Sequence, residues 1–281
     1  MTPAIRSRGW LALPYLTVYL LVFVAPLLYF FVISFWRVHL FRLVPDASLA
    51  NYAKTLQAHS TSLIFTFEIA FTIAVIVTTL AFVFAYVVRF KAGKYGTPLL
   101  FVVLIALFGG YLTKIYVWKT ILGQAGVINS ALGLLGIVNE PITFLLYNPV
   151  AVVITLSHYT LPLAILPIYG ALRSIEDMPL RAARDLGASR FRVVWDVVLP
   201  QCRVGILIAF SLSLIFAAGD FVTPLLIGGP YTSMIGKLIQ LQFGFHGDAA
   251  MGSAMAFTVI GICLVVIFVV GTLVFTVLRV R

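Results

Sequence analysis

Three ionisable residues, Glu68, Lys114 and Asp220, stand inside long apolar stretches of the chain. A charge at the centre of a bilayer-spanning helix costs about 2.5–3.5 kcal/mol on insertion scales, so such residues are rare and face a cavity or a partner. Glu68 falls about six residues from one end of its stretch, Lys114 near the end of the next, and Asp220 about sixteen residues into a later one, ~24 Å along a helix. The three therefore lie at a similar depth. Two acids and one base at one level leave a net negative ring, which attracts a cation. The competing reading pairs Glu68 with Lys114 and leaves Asp220 to cap a broken helix. A further polar cluster, Ser157, His158, Tyr159 and Thr160 in "SHYTLPLAILP", lies near mid-stretch, just before Pro162 removes a backbone donor. These groups either meet a solute or, for Ser157 and Thr160, bond backbone carbonyls around the proline. No HExxH, GxSxG or GxxxxGK[ST] pattern occurs, so the sequence supports neither an intramembrane enzyme nor an ATPase.

The elements that hold these residues are membrane spans. Of 281 residues, 62% are hydrophobic and 10% charged, with a mean hydropathy of +1.10. A soluble domain could not bury that much apolar surface, so lipid must replace part of a core. The apolar stretches are continuous rather than alternating, which points to an all-α polytopic membrane protein and away from a β-barrel. Spans of about 20 residues or more are expected near 11–36, 62–88, 97–118, 145–172, 204–227 and 250–278. The loops are too short for a soluble domain, so residues 1–281 read as a single transmembrane domain. The first stretch is as long as a span and lacks a cleavage-type ending, so it does not read as a signal peptide. Cys202 and Cys263 have no metal-ligand or CxxC spacing.

The net charge of +10 is segregated by topology, which leaves no case for a nucleic-acid partner. Of 19 Lys and Arg, thirteen fall on one side: Arg6, Arg8, Arg89, Lys91, Lys94, six arginines in 173–203, Arg279 and Arg281. Six fall on the other: Arg37, Arg42, Lys54, Lys114, Lys119 and Lys237. The bias places both termini in the cytoplasm. Segments 37–61 and 119–144 become the longer outer connections, and "GVINSALGLLGI" within the second is apolar but too short to span. The fifth span is interrupted by Gly219, Pro224, Gly228, Gly229 and Pro230, which suits a gate near the outer mouth. Gly109 and Gly110 in the third suit a hinge or close helix packing, the latter being the expected use.

The largest cytoplasmic segment, "RAARDLGASRFRVVWDVVLP" at 181–200, reads as one amphipathic helix. Asp177 and Ser174 suit its start, and Pro200 its end. Ala183, Gly187, Phe191, Val194 and Val198 share one face, with Arg181, Asp185, Arg192 and Asp196 opposite. The stripe needs a groove: lipid, its own bundle or a partner protein. Gly187 favours the last by permitting close backbone approach.

Here the chain resembles the permeases of ATP-binding-cassette importers, whose signature runs E-A-A, three residues, G, nine residues, I-x-L-P. Ala182, Ala183, Gly187, Val197, Leu199 and Pro200 match in register; Val197 replaces isoleucine, and Arg181 reverses the charge of the glutamate. "GDFVTPLLIGGP" with "MIGKLIQLQF", "KIYVWKTILGQAGVINSALGLLGI" and "LPLAILPIYGALRSI" are similar to the spermidine/putrescine branch. The resemblance implies the type I importer fold and a non-catalytic subunit of the bacterial cytoplasmic membrane. It implies a coupling helix docked on an ATPase subunit that carries the ATP and Mg. It further implies a second, related permease, a second ATPase and a periplasmic or extracellular solute-binding protein. The chain itself is expected to bind no cofactor and no metal. A polyamine is the expected solute, an opine or amino-acid-like solute the alternative. A channel would not need a docking helix, and a secondary transporter would show inverted repeats that are not found here.

Overall fold

The computed structural model describes residues 13–39 and 42–279; Arg6, Arg8 and Arg281 of the charge count, and the start of the first expected span, lie outside them. From the N-terminus, α1 (Pro14–Ile33) leads through a hairpin of β1 (Arg37–His39) and β2 (Arg42–Val44) to α2 (Ala50–Ala58) and α3 (Ser60–Phe90). Then come α4 (Gly96–Phe108), α5 (Tyr111–Leu122), α6 (Val127–Leu134), α7 (Pro149–Arg173) and α8 (Asp177–Asp185). The last elements are α9 (Arg190–Gly219), α10 (Val222–Ile227), α11 (Ile235–Gly244) and α12 (Ala249–Val277). Helices α1, α3, α7, α9 and α12 are long and apolar enough to cross a bilayer, and α4 with α5–α6 forms a bent sixth candidate. The all-α class holds, with one two-stranded hairpin added.

The chain divides into two compact units, residues up to Ser60 with Leu238–Thr258, and Thr61–Lys237 with Val259–Arg281. In the first, α1 presents apolar side chains outward and buries only Ile33, as a lipid-facing helix does. Phe31 meets Phe257 edge-on at 5.1 Å and Phe30 meets Phe243 at 5.9 Å. Asn51 Nδ2 donates to the Ser34 and Trp36 carbonyls at 3.0 and 2.8 Å, tying α2 to the turn that follows α1. The hairpin pairs Val38 with Leu43, and Arg37 bridges Asp46 at 2.7 Å.

In the second unit, α3 buries a column of mostly small residues, Ala70, Ile73, Ala74, Val77, Ala81 and Ala85, at helical spacing. Small side chains let helix backbones approach where lipid supplies no hydrophobic drive. The same device brings α9 against α7: a Cβ on Gly205 would lie 2.7 Å from the Pro167 carbonyl oxygen and 2.8 Å from Ala171 Cβ. Pro162 and Pro167 sit inside α7 without ending it, and Thr160 Oγ1 donates to the Leu156 carbonyl at 2.8 Å.

Three expectations need correction. The third span, expected continuous over 97–118, is two helices bent by 98° at Gly109–Gly110, where both glycines are extended. Chain breaking, rather than close packing, is therefore the use of that pair. The fifth span, expected over 204–227, begins at Arg190 and stops at Gly219, and α10 is a separate short helix. The segment at 177–200 is not one amphipathic helix. α8 ends at Asp185, Gly187 turns the chain with φ +82°, and a new helix starts after Ser189. Pro200 does not end that helix. A π-helical turn, Val193–Val198, shifts the hydrogen-bond register ahead of it, and the proline is accepted at the first positions of the α-helical run that follows.

Candidate functional site

Two interrupted spans meet at one place. The break after α4 delivers Tyr111 as the first residue of α5, and the break after α9 delivers Asp220. The Tyr111 hydroxyl donates to the Asp220 carboxylate by a short hydrogen bond and lies 3.0 Å from Thr223 Oγ1. The same carboxylate accepts from the Val222 and Thr223 amides at 3.1 and 3.2 Å, the orphan donors of the first turn of α10. Asp220 is thus a helix cap, as the competing reading had it, and also a wall of a cavity of about 360 Å³. Tyr111, Tyr159, Phe216 and Phe221 line it beside Leu156, Ile215, Gly219 and Val222, so one carboxylate shares the space with four aromatic rings.

Lys114 lies one turn after Tyr111 on α5. It is 9% exposed, its Nζ stands 5.1 Å from the centroid of the Tyr159 ring, and its stem folds over Gly109. Among the described residues it has neither a hydrogen-bond nor an ion-pair partner; the ion pairs there are Arg37–Asp46 and Arg89–Asp177. Glu68 does not join it: Glu68 is exposed on α3 and absent from the cavity wall. The expected ring of Glu68, Lys114 and Asp220 is therefore not assembled in this chain, and neither is the alternative Glu68–Lys114 pair. His158 is exposed on α7, with its ring 5.7 Å from Trp118, while the next residue, Tyr159, faces the cavity. Ser157 Oγ is buried without a partner, in contrast to Thr160.

The residues expected to form a gate bracket the segment after α10. Pro224 and Gly228 are buried, and Thr232 Oγ1 donates to the Gly228 carbonyl. Gly229 has φ +71° and sits directly on the Tyr147 carbonyl, leaving no room for a Cβ. The chain then returns past Asp220, where Gly236 lies against the Asp220 carbonyl, and the Ile235 amide donates to Thr66 Oγ1 of α3 at 2.8 Å. Gly219 itself has open space around its Cβ position and lines the cavity.

At the opposite end of α9, the segment carrying Arg181, Ala182, Ala183, Asp185, Gly187 and Phe191 is anchored from one side. Ile175 and Leu180 are buried, and Arg89 at the end of α3 bridges Asp177 at 3.1 Å. That pairing takes the Asp177 carboxylate, and Ser174 Oγ donates back to the Ala171 carbonyl, so the expected capping box does not form. Gly187 closes α8, with the Gly187 amide on the Arg184 carbonyl at 2.8 Å and the Ala188 amide on the Ala183 carbonyl at 3.0 Å. Nothing in the chain lies within 4 Å of its Cβ position, so left-handed conformation, not close approach, explains this glycine here. Met178, Leu186 and Phe191 are 75%, 89% and 74% exposed, the first two between α7 and α9 and Phe191 in the first turn of α9. Val197 and Leu199 are half-buried and Pro200 is buried, within the helix rather than on the exposed turn.

A membrane protein with two broken spans around an aromatic cavity, and an uncovered helical segment joined to one of them, is built as a transport permease. Residues 95–279 match the family of binding-protein-dependent transport system inner membrane components, and the chain belongs to that family. It is 33% identical over 195 residues to the spermidine/putrescine transport system permease protein PotB of Haemophilus influenzae, covering 69% of this chain and 68% of that protein. It is 30% identical to PotB of Escherichia coli K12, covering 78% and 81%. Its fold is similar to a chain of a bacterial alginate ABC transporter solved in complex with an alginate-loaded periplasmic protein, with TM-score 0.71, 16% identity and 93% and 92% coverage. The chain is the non-catalytic permease subunit of an ABC importer.

Proposed function

We propose that this permease conducts a small nitrogenous solute carrying at least one ammonium group, with polyamines such as spermidine and putrescine the first class to test. Four aromatic rings and one carboxylate facing a common space suit an ammonium: the ring faces attract it, and the acid supplies the charge. The names of the PotB relatives support the same class. In a bacterial cytoplasmic membrane, the Lys and Arg bias puts both termini in the cytoplasm. A second, related permease completes the path, two ABC ATPases hold ATP and Mg, and a periplasmic binding protein delivers the solute.

One observation carries the mechanism. From its Ser189 cap, α9 runs 30 residues, through the π-helical turn Val193–Val198, to the break at Gly219–Asp220, a length of ~45 Å. One end is contiguous with the exposed apolar segment, and the other is the cavity wall. Displacement of the segment by an ATPase therefore reaches Asp220 along a single helix, the candidate for the two-state element that coupling requires. Cysteine placed at Leu186, 89% exposed, should cross-link to a co-expressed ABC ATPase, more in one nucleotide state than in the other. A Leu186→Cys variant that transports normally yet never traps the ATPase in any state refutes the assignment.

A further inference from the structure

A second cavity, of about 530 Å³, lies at the end of α3 that the Lys and Arg bias assigns to the cytoplasm. Its wall takes Tyr86 from α3, Lys91 just after it, Arg184 from α8, and Arg190, Phe191 and Val194 from the start of α9. No carboxylate lines it. The ion pairs among the described residues, Arg37–Asp46 and Arg89–Asp177, involve none of its three cations. Three like charges on one wall repel one another unless an anion stands between them. Two arginines among them favour a phosphate, whose oxygens match the guanidinium fork.

Depth decides what carries that phosphate. Tyr86 lies near the end of a membrane-spanning helix, where tyrosine rings sit at headgroup level. Its ring centroid is 5.0 Å from that of Phe90 and 6.2 Å from that of Phe82. The three rings, four residues apart, form one stripe on α3 that runs from the basic cavity into the span. Phe82 and Tyr86 are only half-buried, and Val83 and Val87 beside them are 54% and 42% exposed. An apolar track leading away from a group of unpaired cations complements a molecule whose phosphate carries acyl chains. Basic pockets at the cytoplasmic ends of spans hold anionic headgroups in this way.

We propose that this cavity binds an anionic phospholipid: Arg184 and Arg190 take the phosphate oxygens, Lys91 adds charge, and an acyl chain lies along Tyr86 and Phe82. A lipid seated there touches α3, α8 and α9 at once, and so ties the exposed segment between α7 and α9 to the neighbouring span.

The test is native mass spectrometry of the purified full-length permease, equilibrated with equal amounts of phosphatidylglycerol and phosphatidylcholine of the same acyl chains. We expect the phosphatidylglycerol adduct to exceed the phosphatidylcholine adduct by at least about fivefold. Arg184→Gln with Arg190→Gln should bring the ratio close to one, and Arg184→Lys with Arg190→Lys should retain most of the preference. Lys54→Gln with Lys237→Gln removes the same charge elsewhere and should leave the ratio unchanged. Thermal unfolding of each variant identifies a folding defect, and the comparison of the two lipids on the unaltered chain needs no variant. Inorganic phosphate at millimolar concentration should not displace the lipid; full displacement would mark a site for a soluble phosphate and overturn the proposal. Equal binding of the two lipids by the unaltered chain overturns it as well. If the glutamine variant keeps the lipid preference and instead loses capture of a co-expressed ABC ATPase, the cavity belongs to the ATPase seat and the lipid site is refuted.

Discussion

The hydrogen bond between Tyr111 and Asp220 joins the broken ends of two spans, and its removal should be measurable as a coupling energy. Tyr111→Phe removes the hydroxyl that serves both Asp220 and Thr223. Asp220→Asn keeps one oxygen, which can serve Tyr111 and Val222 at the Oδ1 position, but loses the acceptor for the Thr223 amide and the charge. A hydrogen bond to an ionised group contributes about 1.5–3 kcal/mol and a neutral one about 0.5–1.5 kcal/mol, so the double-mutant cycle with Asp220→Asn should return the difference, about 1–1.5 kcal/mol. Asp220→Ala is harsher: loss of the cap costs about 0.5–2 kcal/mol, and the orphaned tyrosine hydroxyl adds about 1–3 kcal/mol. Reversible unfolding in mixed micelles, followed by tryptophan fluorescence, measures the four stabilities. Additive single effects, with coupling under about 0.5 kcal/mol, would show that the two breaks are held independently and would refute the stapling argument.

Other consequences are sharper at single residues. Gly205→Val should separate α9 from α7, because no Cβ fits between the Pro167 carbonyl and Ala171; overpacking of this kind costs about 1–3 kcal/mol, seen as lost thermal stability of the purified protein. Gly187→Ala meets no neighbour, so its cost should be only the left-handed backbone penalty of about 1–2 kcal/mol, read as raised amide exchange over 182–189 with the spans unchanged. Arg89→Gln breaks an ion pair whose partners are 27% and 55% exposed, so global stability should change by under about 1 kcal/mol. Exchange should rise locally at 174–180, where Arg89 holds the segment to α3.

What the sequence disclosed and what it withheld divide along a physical line. Spans were legible because 20 apolar residues in a row have one use in a bilayer, and the break at Gly219 was legible because glycine and proline cluster there. The 98° bend at Gly109–Gly110 was not, since two glycines in an apolar run serve close packing equally well. The helix at 177–200 was misread because its apolar spacing continues smoothly across Gly187 and Ser189. Periodicity does not register a residue at φ +82°, although the Gly-x-Ser pattern, a C-terminal glycine followed by an N-cap serine, was available as a stop-and-start signal. Tyr111 was missed altogether. Its role depends on Asp220, 109 residues away, and only the fold brings them together.

The two breaks explain each other. Interrupting a helix within a bilayer frees amides and carbonyls that lipid cannot satisfy, so a single break is costly wherever it faces lipid. Here the carboxylate released by one break caps the helix after it and also receives the hydroxyl released by the other. The polar groups that make the breaks tolerable are the groups that give the cavity its charge and its aromatic wall. A variant that straightened either span would remove the need for Asp220 as a cap and, with it, the reason for a carboxylate to stand there. The cavity and the interruptions are therefore one feature, and motion of α9 cannot shift the Asp220 wall without loading the Tyr111 bond that holds α5.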